Sequence, residues 1–331
     1  MFQILTTFDT HLYADSVEWC PIEPFKDLFV CGTYQLLENT ESISEKESKQ
    51  CRRLGKIYLF QVLRNGRMRL LHTLETEGIL DMKWSHVKCN QKVLLGVVNS
   101  VGYLQIYELK DENEEMLKLI TKLKVNDQKE EILSLSLDWC TGRWACYDNS
   151  IPKIVVSDST GGITIFELHN DELKIITFWS SHKYEAWIAA FDYWDTNLIY
   201  TATWFTVPVL PLLEGIKTCN NISKTYDEVL RLWDTRYLKR PMSEINLAGG
   251  IWRLKWDPFA RRFLLAACMY GGFKVIDCRD TVAPSIIDEY KDHDSLSYGC
   301  DWSFLSRESL VSTCTFYDHN LKLSVIHLSE E

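Results

Sequence analysis

Three histidines stand in short polar turns of this chain, each close to aromatic residues. His182 leads into Glu185-Ala186-Trp187, His293-Asp294-Ser295 leads into Tyr298, and Tyr317-Asp318-His319 forms a later turn. Tyr34 and Tyr270-Gly271-Gly272 occupy comparable turns. An imidazole titrates near neutral pH and can move a proton, so His319 and His293 are candidates for acid/base work. Ser295 adds a hydroxyl, Asp318 and Glu185 add carboxylates, and the rings of Tyr34, Trp187, Tyr270, Tyr298 and Tyr317 can pack or touch a ligand. Other chemistries find no footing: there is no Gly-x-Ser-x-Gly elbow, no Walker loop and no His-Glu-x-x-His. Gly161-Gly162 and Gly271-Gly272 read as turn glycines between strands, without the helix that phosphate binding needs. No cofactor and no metal site is expected.

The elements that must position these residues are short strands. Six runs end in an aromatic residue: Ser16–Trp19, Ile79–Trp84, Leu133–Trp139, Ala186–Phe191, Gly250–Trp256 and Leu296–Trp302. Each is followed by an apolar strand, at Leu28–Cys31, Val93–Val98, Ile154–Ser157, Leu198–Ala202, Phe263–Cys268 and Leu310–Cys314. A third strand closes each unit, at Ile57–Val62, Tyr103–Leu109, Ile163–Leu168, Leu230–Asp234, Phe273–Asp277 and Leu321–Ile326. Alternating apolar residues between Asp/Asn/Ser turns specify strands rather than helices. A fourth strand fits between units, as at Met68–Leu74 and Leu117–Val125, and Phe2–Phe8 can supply the outer strand of the last unit and close the ring.

The spacing of ~45 residues is that of WD-type blades. The expected fold is therefore all-β, one WD40-type β-propeller over 1–331, with six blades countable and a seventh possible. Only one unit ends in a full Trp-Asp, Trp233-Asp234. Function on a propeller sits in loops at one mouth of its channel, and the turns named above map to one such mouth. His182 and His293 each stand nine residues before a strand-ending aromatic, where a WD repeat keeps a structural histidine bonded to a turn aspartate. Asp227 and Asp318 are placed to be those partners. His319 has no such structural assignment.

Two stretches break the rhythm. Residues 38–53 are rich in Glu, Ser and Lys and read as a mobile loop, with Lys46, Lys49, Arg52 and Arg53 as a solvated basic cluster. Residues 204–225 read as an insertion in the fourth unit, either a lid-like loop or the product of a mis-spliced message. The net charge of −10 argues against nucleic-acid binding through a broad basic face. No apolar run approaches the ~20 residues that span a bilayer, and 1–10 lacks the pattern of a signal peptide. The 11 cysteines lie mostly in apolar strands, as small buried hydrophobes of a cytoplasmic, reducing environment.

Tyr13-Ala14-Asp15-Ser16-Val17-Glu18-Trp19-Cys20-Pro21, followed by Cys31-Gly32-Thr33-Tyr34-Gln35-Leu36, resembles the opening of the WD-repeat diphthine methyl ester esterase family of diphthamide biosynthesis. Gly249–Trp256, His293–Trp302 and Cys314–His319 look like further motifs of that family. The likeness spans nearly the whole chain and departs at 204–225, where the family has a short turn. It implies a carboxylic ester hydrolase that demethylates diphthine methyl ester on elongation factor 2, acting as a monomer. Diphthine carries a trimethylammonium group, which aromatic faces attract. Ester hydrolysis would then use His319 or His293 as base, Ser295 or Cys314 as lesser candidates for nucleophile, and Tyr317 or the Gly271-Gly272 amides as oxyanion donors. The substrate would be gripped by Tyr34, His182, Glu185, Trp187, Tyr270 and Tyr298. A non-catalytic WD-repeat scaffold for complex assembly is the alternative.

Overall fold

The computed structural model describes residues 2–37, 53–111, 115–127, 131–142, 151–193, 195–203, 209–210, 220–222, 227–234, 237, 239–291, 295–305 and 309–328. These residues build antiparallel sheets and no α-helix, as the alternation requires. Sheet 1 holds Tyr13–Trp19, Leu28–Leu36, Arg53–Val62 and Met68–Glu77, and sheet 2 holds Ile79–Trp84, Val93–Asn99, Tyr103–Leu109 and Leu117–Lys124. Sheet 3 holds Ser134–Trp139, Lys153–Asp158, Gly162–His169 and Glu172–Ser180. Sheet 6 holds Arg253–Trp256, Phe263–Cys268, Gly272–Asp277 and Ser285–Tyr290. In sheet 7, Ser297–Trp302, Leu310–Thr315 and Asn320–Ile326 are completed by the N-terminal strand Phe2–Asp9, which pairs with Asn320–Ile326 as the sequence suggested.

The seventh blade that the sequence left possible is present. The expected fourth unit divides between two sheets, Ile188–Phe191 with Ile199–Ala202 and Val209–Leu210 (sheet 4), and Asn220–Ile222 with Val229–Asp234 and Ser243–Asn246 (sheet 5). Seven sheets are thus present among the described residues. The stretch 204–225 contributes a strand to each of two sheets instead of interrupting one. Neither strand ends in the aromatic residue that marks the other units, which is why periodicity passes over them.

The innermost strands are fastened in a repeated way. The Trp84 indole donates to the Glu18 carbonyl at 3.2 Å, the Trp139 indole to the Lys83 carbonyl at 2.9 Å, and the Trp302 indole to the Lys255 carbonyl at 2.9 Å. Each of these bonds ties one sheet to the sheet before it. The Trp19 indole donates to Ser312 Oγ at 2.7 Å and so joins sheet 1 to sheet 7. Carboxylates do the same from the other side: the amide of Trp19 donates to Asp301, that of Leu137 to Asp81 and that of Phe191 to Asp138. The aromatic strand ends read in the sequence are therefore inter-sheet fasteners as well as core.

Between these strands lies a buried ionic cluster. Arg253 Nη1 of sheet 6 meets Asp81 Oδ1 of sheet 2 at 2.8 Å, with both side chains buried. Glu18 accepts from Lys83 at 3.0 Å and from Lys255 at 2.5 Å, and Lys255 also reaches Asp301 at 3.5 Å. Burial works against the Glu18 carboxylate, but Lys255 and Lys83 hold its pKa below the ordinary value. Burial dominates at Asp138, whose pKa is pushed up to about 6 despite the nearby Lys83.

Arg253→Ala should strip the buried Asp81 carboxylate of its arginine, lowering stability by about 3–5 kcal/mol in urea unfolding. Asp138 supplies a pH signature. Its folded pKa lies above the unfolded value of about 3.9, so its contribution is complete below about pH 4 and is lost as the pH rises through about 6. In Asp138→Asn that part of the decline in stability between about pH 4 and pH 6 should disappear from the melting profile.

Candidate functional site

The residues that enter the innermost strands are irregular, and this irregularity builds the site. In sheet 7 the register shifts between Ser297 and Gly299, leaving Tyr298 as the extra residue of a β-bulge. A bulge bends its strand and re-aims a side chain. Sheet 1 has a matching shift between Ala14 and Ser16, just after Tyr13. Gly299 lets sheets 7 and 1 approach here, since a Cβ would come within 2.6 Å of Cys314 Sγ and 2.9 Å of the Val17 nitrogen.

The result is a continuous arc of rings. Trp187, just before the inner strand of sheet 4, lies 5.4 Å from Trp252, just before that of sheet 6. Trp252 stacks on Tyr298 at 4.5 Å, Tyr298 meets Phe316 at 4.8 Å, and Phe316 stacks on Tyr13 at 4.7 Å. Tyr34 approaches Phe316 at 6.2 Å, while Tyr317 packs edge-on against Tyr13 at 5.6 Å. Sheets 4, 6, 7 and 1 therefore share one aromatic surface. Its inner rings are half-buried, and Tyr317 is 55 % exposed.

His319 ends the arc. Its ring lies 5.1 Å from Tyr13, and its Nε2 is buried with no hydrogen-bond partner among the described residues. The Thr10 amide and hydroxyl donate to its carbonyl at 2.9 and 3.0 Å, fixing the turn against sheet 1. Its φ of 57° places it in the left-handed region, which few non-glycine residues occupy. The Ser295 Oγ accepts from the Tyr317 amide at 2.8 Å and the Asp318 amide at 3.4 Å, which gives this hydroxyl a part in holding the turn. Partial desolvation opposes the Asp318 carboxylate, yet hydrogen bonds from its neighbours, including the Asn320 amide at 2.8 Å, hold its pKa below the usual value.

Of the residues singled out in the sequence, Tyr34, Trp187, Tyr298, Tyr317 and His319 meet in the arc, with Ser295 and Asp318 holding its turn. Tyr270 is 70 % exposed and stacks on none of the described arc rings. His182 and Glu185 lie in the connection leading to Trp187. His182 Nε2 bonds Thr201 Oγ1 at 2.9 Å, while its expected partner Asp227 lies in the turn before the Val229–Asp234 strand of sheet 5 and pairs with Arg231 at 2.7 Å. Burial lowers the His182 pKa. His293 lies outside the described residues. Cys314 is buried, and burial raises its thiol pKa, so it is not a ready nucleophile. Among the described residues no group of His, Cys, Asp and Glu is arranged to hold a metal. Sequence reasoning passed over Tyr13, Trp252 and Phe316, although each stands within a motif that carried the family resemblance.

Comparison with known proteins then bears on the chain as a whole. No family model matches it. It is 34 % identical to diphthine methyltransferase of Mus musculus, covering 96 % of this chain and 73 % of that protein. Diphthine methyltransferase of Homo sapiens is 35 % identical, over 92 % of this chain and 76 % of its own length. The chain belongs to the diphthine methyltransferase family. Its role is thus in diphthamide biosynthesis. A homologue from Dictyostelium discoideum is 33 % identical, covering 94 % of this chain and 95 % of that protein. These names overturn the ester hydrolase expected from the sequence, because the relatives of this family member are named for methyl transfer. A chain of the crystal structure of the mitotic checkpoint complex superposes with a TM-score of 0.56 at 13 % identity, covering 98 % of this chain and 92 % of that one. At that identity the likeness concerns the fold, and it agrees with the WD40-type β-propeller.

Replacing Ser295 by Ala should strand the amides of Tyr317 and Asp318, costing about 1–3 kcal/mol. Hydrogen exchange at these two amides should quicken while the inner strands stay protected. Unchanged exchange would show that the hydroxyl does not hold the turn.

Proposed function

We propose that this member of the family carries out methyl-group chemistry on a diphthine side chain presented by elongation factor 2, with the aromatic arc seating the trimethylammonium group. The observation that carries this reading is the unbroken run Trp187, Trp252, Tyr298, Phe316 and Tyr13, contributed by four sheets. A quaternary ammonium has no N–H to donate, so polar groups recognise it poorly. Ring faces attract it through their quadrupoles, at about 0.5–2 kcal/mol per contact as desolvation increases. The net charge of −10 favours approach of a cationic group over a longer range. His319, with its buried Nε2 beside Tyr13, is the titratable side chain best placed to move a proton at this surface.

The test uses the purified chain, a methyl donor and elongation factor 2 bearing diphthine, read by intact mass. A change of one methyl group is expected. Tyr298→Leu, which keeps apolar bulk but removes the ring, should slow that change by roughly tenfold or more with an unaltered melting temperature. An unchanged methyl count with the wild-type chain would exclude the enzymatic reading and leave the scaffold.

A further inference from the structure

Away from the arc, one of the described four-stranded sheets has an outer edge built unlike the others. An outer strand leaves a row of amides and carbonyls without a neighbouring strand, and proteins guard such rows with charged side chains. The outer strands of sheets 1, 2, 3 and 6 carry these guards: Arg69 and Glu75, Lys118 and Lys122, Glu172 and Lys174, and Asp288 and Glu289. The outer strand of sheet 7, Phe2–Asp9, has only Asp9, at its last position, and exposes Ile4 and Leu5. Its register shift between Ile4 and Thr6 is matched by shifts in the other four outer strands, so it is no special guard.

Against the middle of this strand stands the turn 63–67 of sheet 1. Thr6 Oγ1 donates to the Gly66 carbonyl at 3.2 Å, and a Cβ on Gly66 would come within 3.2 Å of Leu5 Cδ1. The turn is tight. The Leu63 amide donates to the Arg67 carbonyl and the Gly66 amide to the Leu63 carbonyl, both at 2.9 Å, with Gly66 at a φ of 73°. It displays Arg64 and Arg67, with Arg69 just beyond, and all three are exposed. Gln61 separates Arg69 from an acid, accepting from Arg69 Nη2 and donating to Asp27 Oδ2 at 2.6 Å. Residues 54–74 contain no Asp or Glu, in a chain whose net charge is −10. This corner lies at the Gln61 end of sheet 1, whereas the arc lies at the Tyr34 end.

We infer that the Phe2–Asp9 edge and the arginine turn together dock an extended acidic segment of a partner protein. The segment adds a strand to sheet 7, pairing its backbone with the open row of Phe2–Asp9. Its carboxylates take the guanidinium groups of Arg64, Arg67 and Arg69 through charge-assisted hydrogen bonds, and its alternate apolar side chains cover Ile4 and Leu5. Charge selects this occupant. A second copy, pairing edge to edge about a two-fold axis, offers each arginine turn only Asp9 from the facing strand. Nucleic acid would use the arginines but leave the backbone row, Ile4 and Leu5 unanswered. The turn is already fixed by its own hydrogen bonds, so docking orders little of its backbone. Nothing here depends on what the arc binds.

The probe is a short fluorescein-labelled peptide alternating Val and Glu, titrated with the full chain and read by fluorescence anisotropy. Binding should weaken as salt rises, and the amides of Phe2–Asp9 should exchange more slowly in the complex. Arg64→Glu combined with Arg67→Glu should lower the affinity roughly tenfold or more, with an unchanged melting temperature because both side chains are exposed. Pro in place of the peptide's Val residues removes backbone donors and should abolish binding. Equal affinity in the double variant would overturn the part given to the arginines, and equal binding of the Pro peptide would overturn strand addition. Failure of the Val–Glu peptide to bind, or protection confined to other strands, would overturn the whole inference. It would also fall to a preference for a single-stranded oligonucleotide over the peptide, or to a concentration-dependent dimer protected at Phe2–Asp9.

Discussion

The bond from Arg253 to Asp81 runs between inner strands of sheets that are not neighbours in the chain. It joins sheet 6 to sheet 2 in a place that water does not reach, and the rest of the site depends on it. Two charges taken from water are costly, and their attraction offsets that cost only when the geometry is fixed and remaining lone pairs are used. Here they are used: Asp81 also accepts from the amides of Met82 and Leu137. Glu18, Lys83, Lys255 and Asp301 extend the same arrangement to sheets 1 and 7. The strands are thereby held in register at their inner edge by groups that cannot slip without exposing a charge.

Trp252 is the residue immediately before Arg253, and its ring is therefore placed by the ionic cluster below it. Tyr298 is set by a bulge in the strand that also carries Asp301, and Tyr13 lies on the strand that carries Glu18. The aromatic surface and the charged interior are consecutive layers of the same strands. This gives the rings a rigidity that loops alone would not supply, and a preorganised aromatic surface loses little on binding a cation. The layer above offers ring faces of the kind that attract methylated nitrogen, and the chain belongs to a family named for diphthine methyltransferase. The hydrolase expectation came from the resemblance rather than from any residue, and Ser295 and Cys314 give it no support as nucleophiles, one engaged by turn amides and the other buried.

Most of the strands were legible because burial on one face imposes a period of two, and the aromatic residue at the end of each inner strand repeats that message. Val93–Asn99 and Tyr103–Leu109 begin where alternation begins. Sheets 4 and 5 were merged because Val209–Leu210 and Asn220–Ile222 are short and lack that terminal ring. The same merger misassigned Asp227 to His182. The arc itself was only half legible. Trp187, Tyr34 and Tyr298 stand beside polar stretches that composition can flag, Trp187 before a strand and the two tyrosines within strands, but Trp252, Phe316 and Tyr13 gain their meaning from contacts between residues far apart in the chain. Arg53 read as part of a solvated basic run, since nothing local reveals its bond to Tyr34.

The central claim is that the rings of four sheets form one surface for a methylated cation. It is tested most directly by nuclear Overhauser contacts between a trimethylammonium-bearing peptide and the chain. The account predicts contacts from the methyl protons to the rings of Trp252, Tyr298 and Phe316 together. Contacts confined to surface residues such as Tyr270, with those three rings silent, would contradict it.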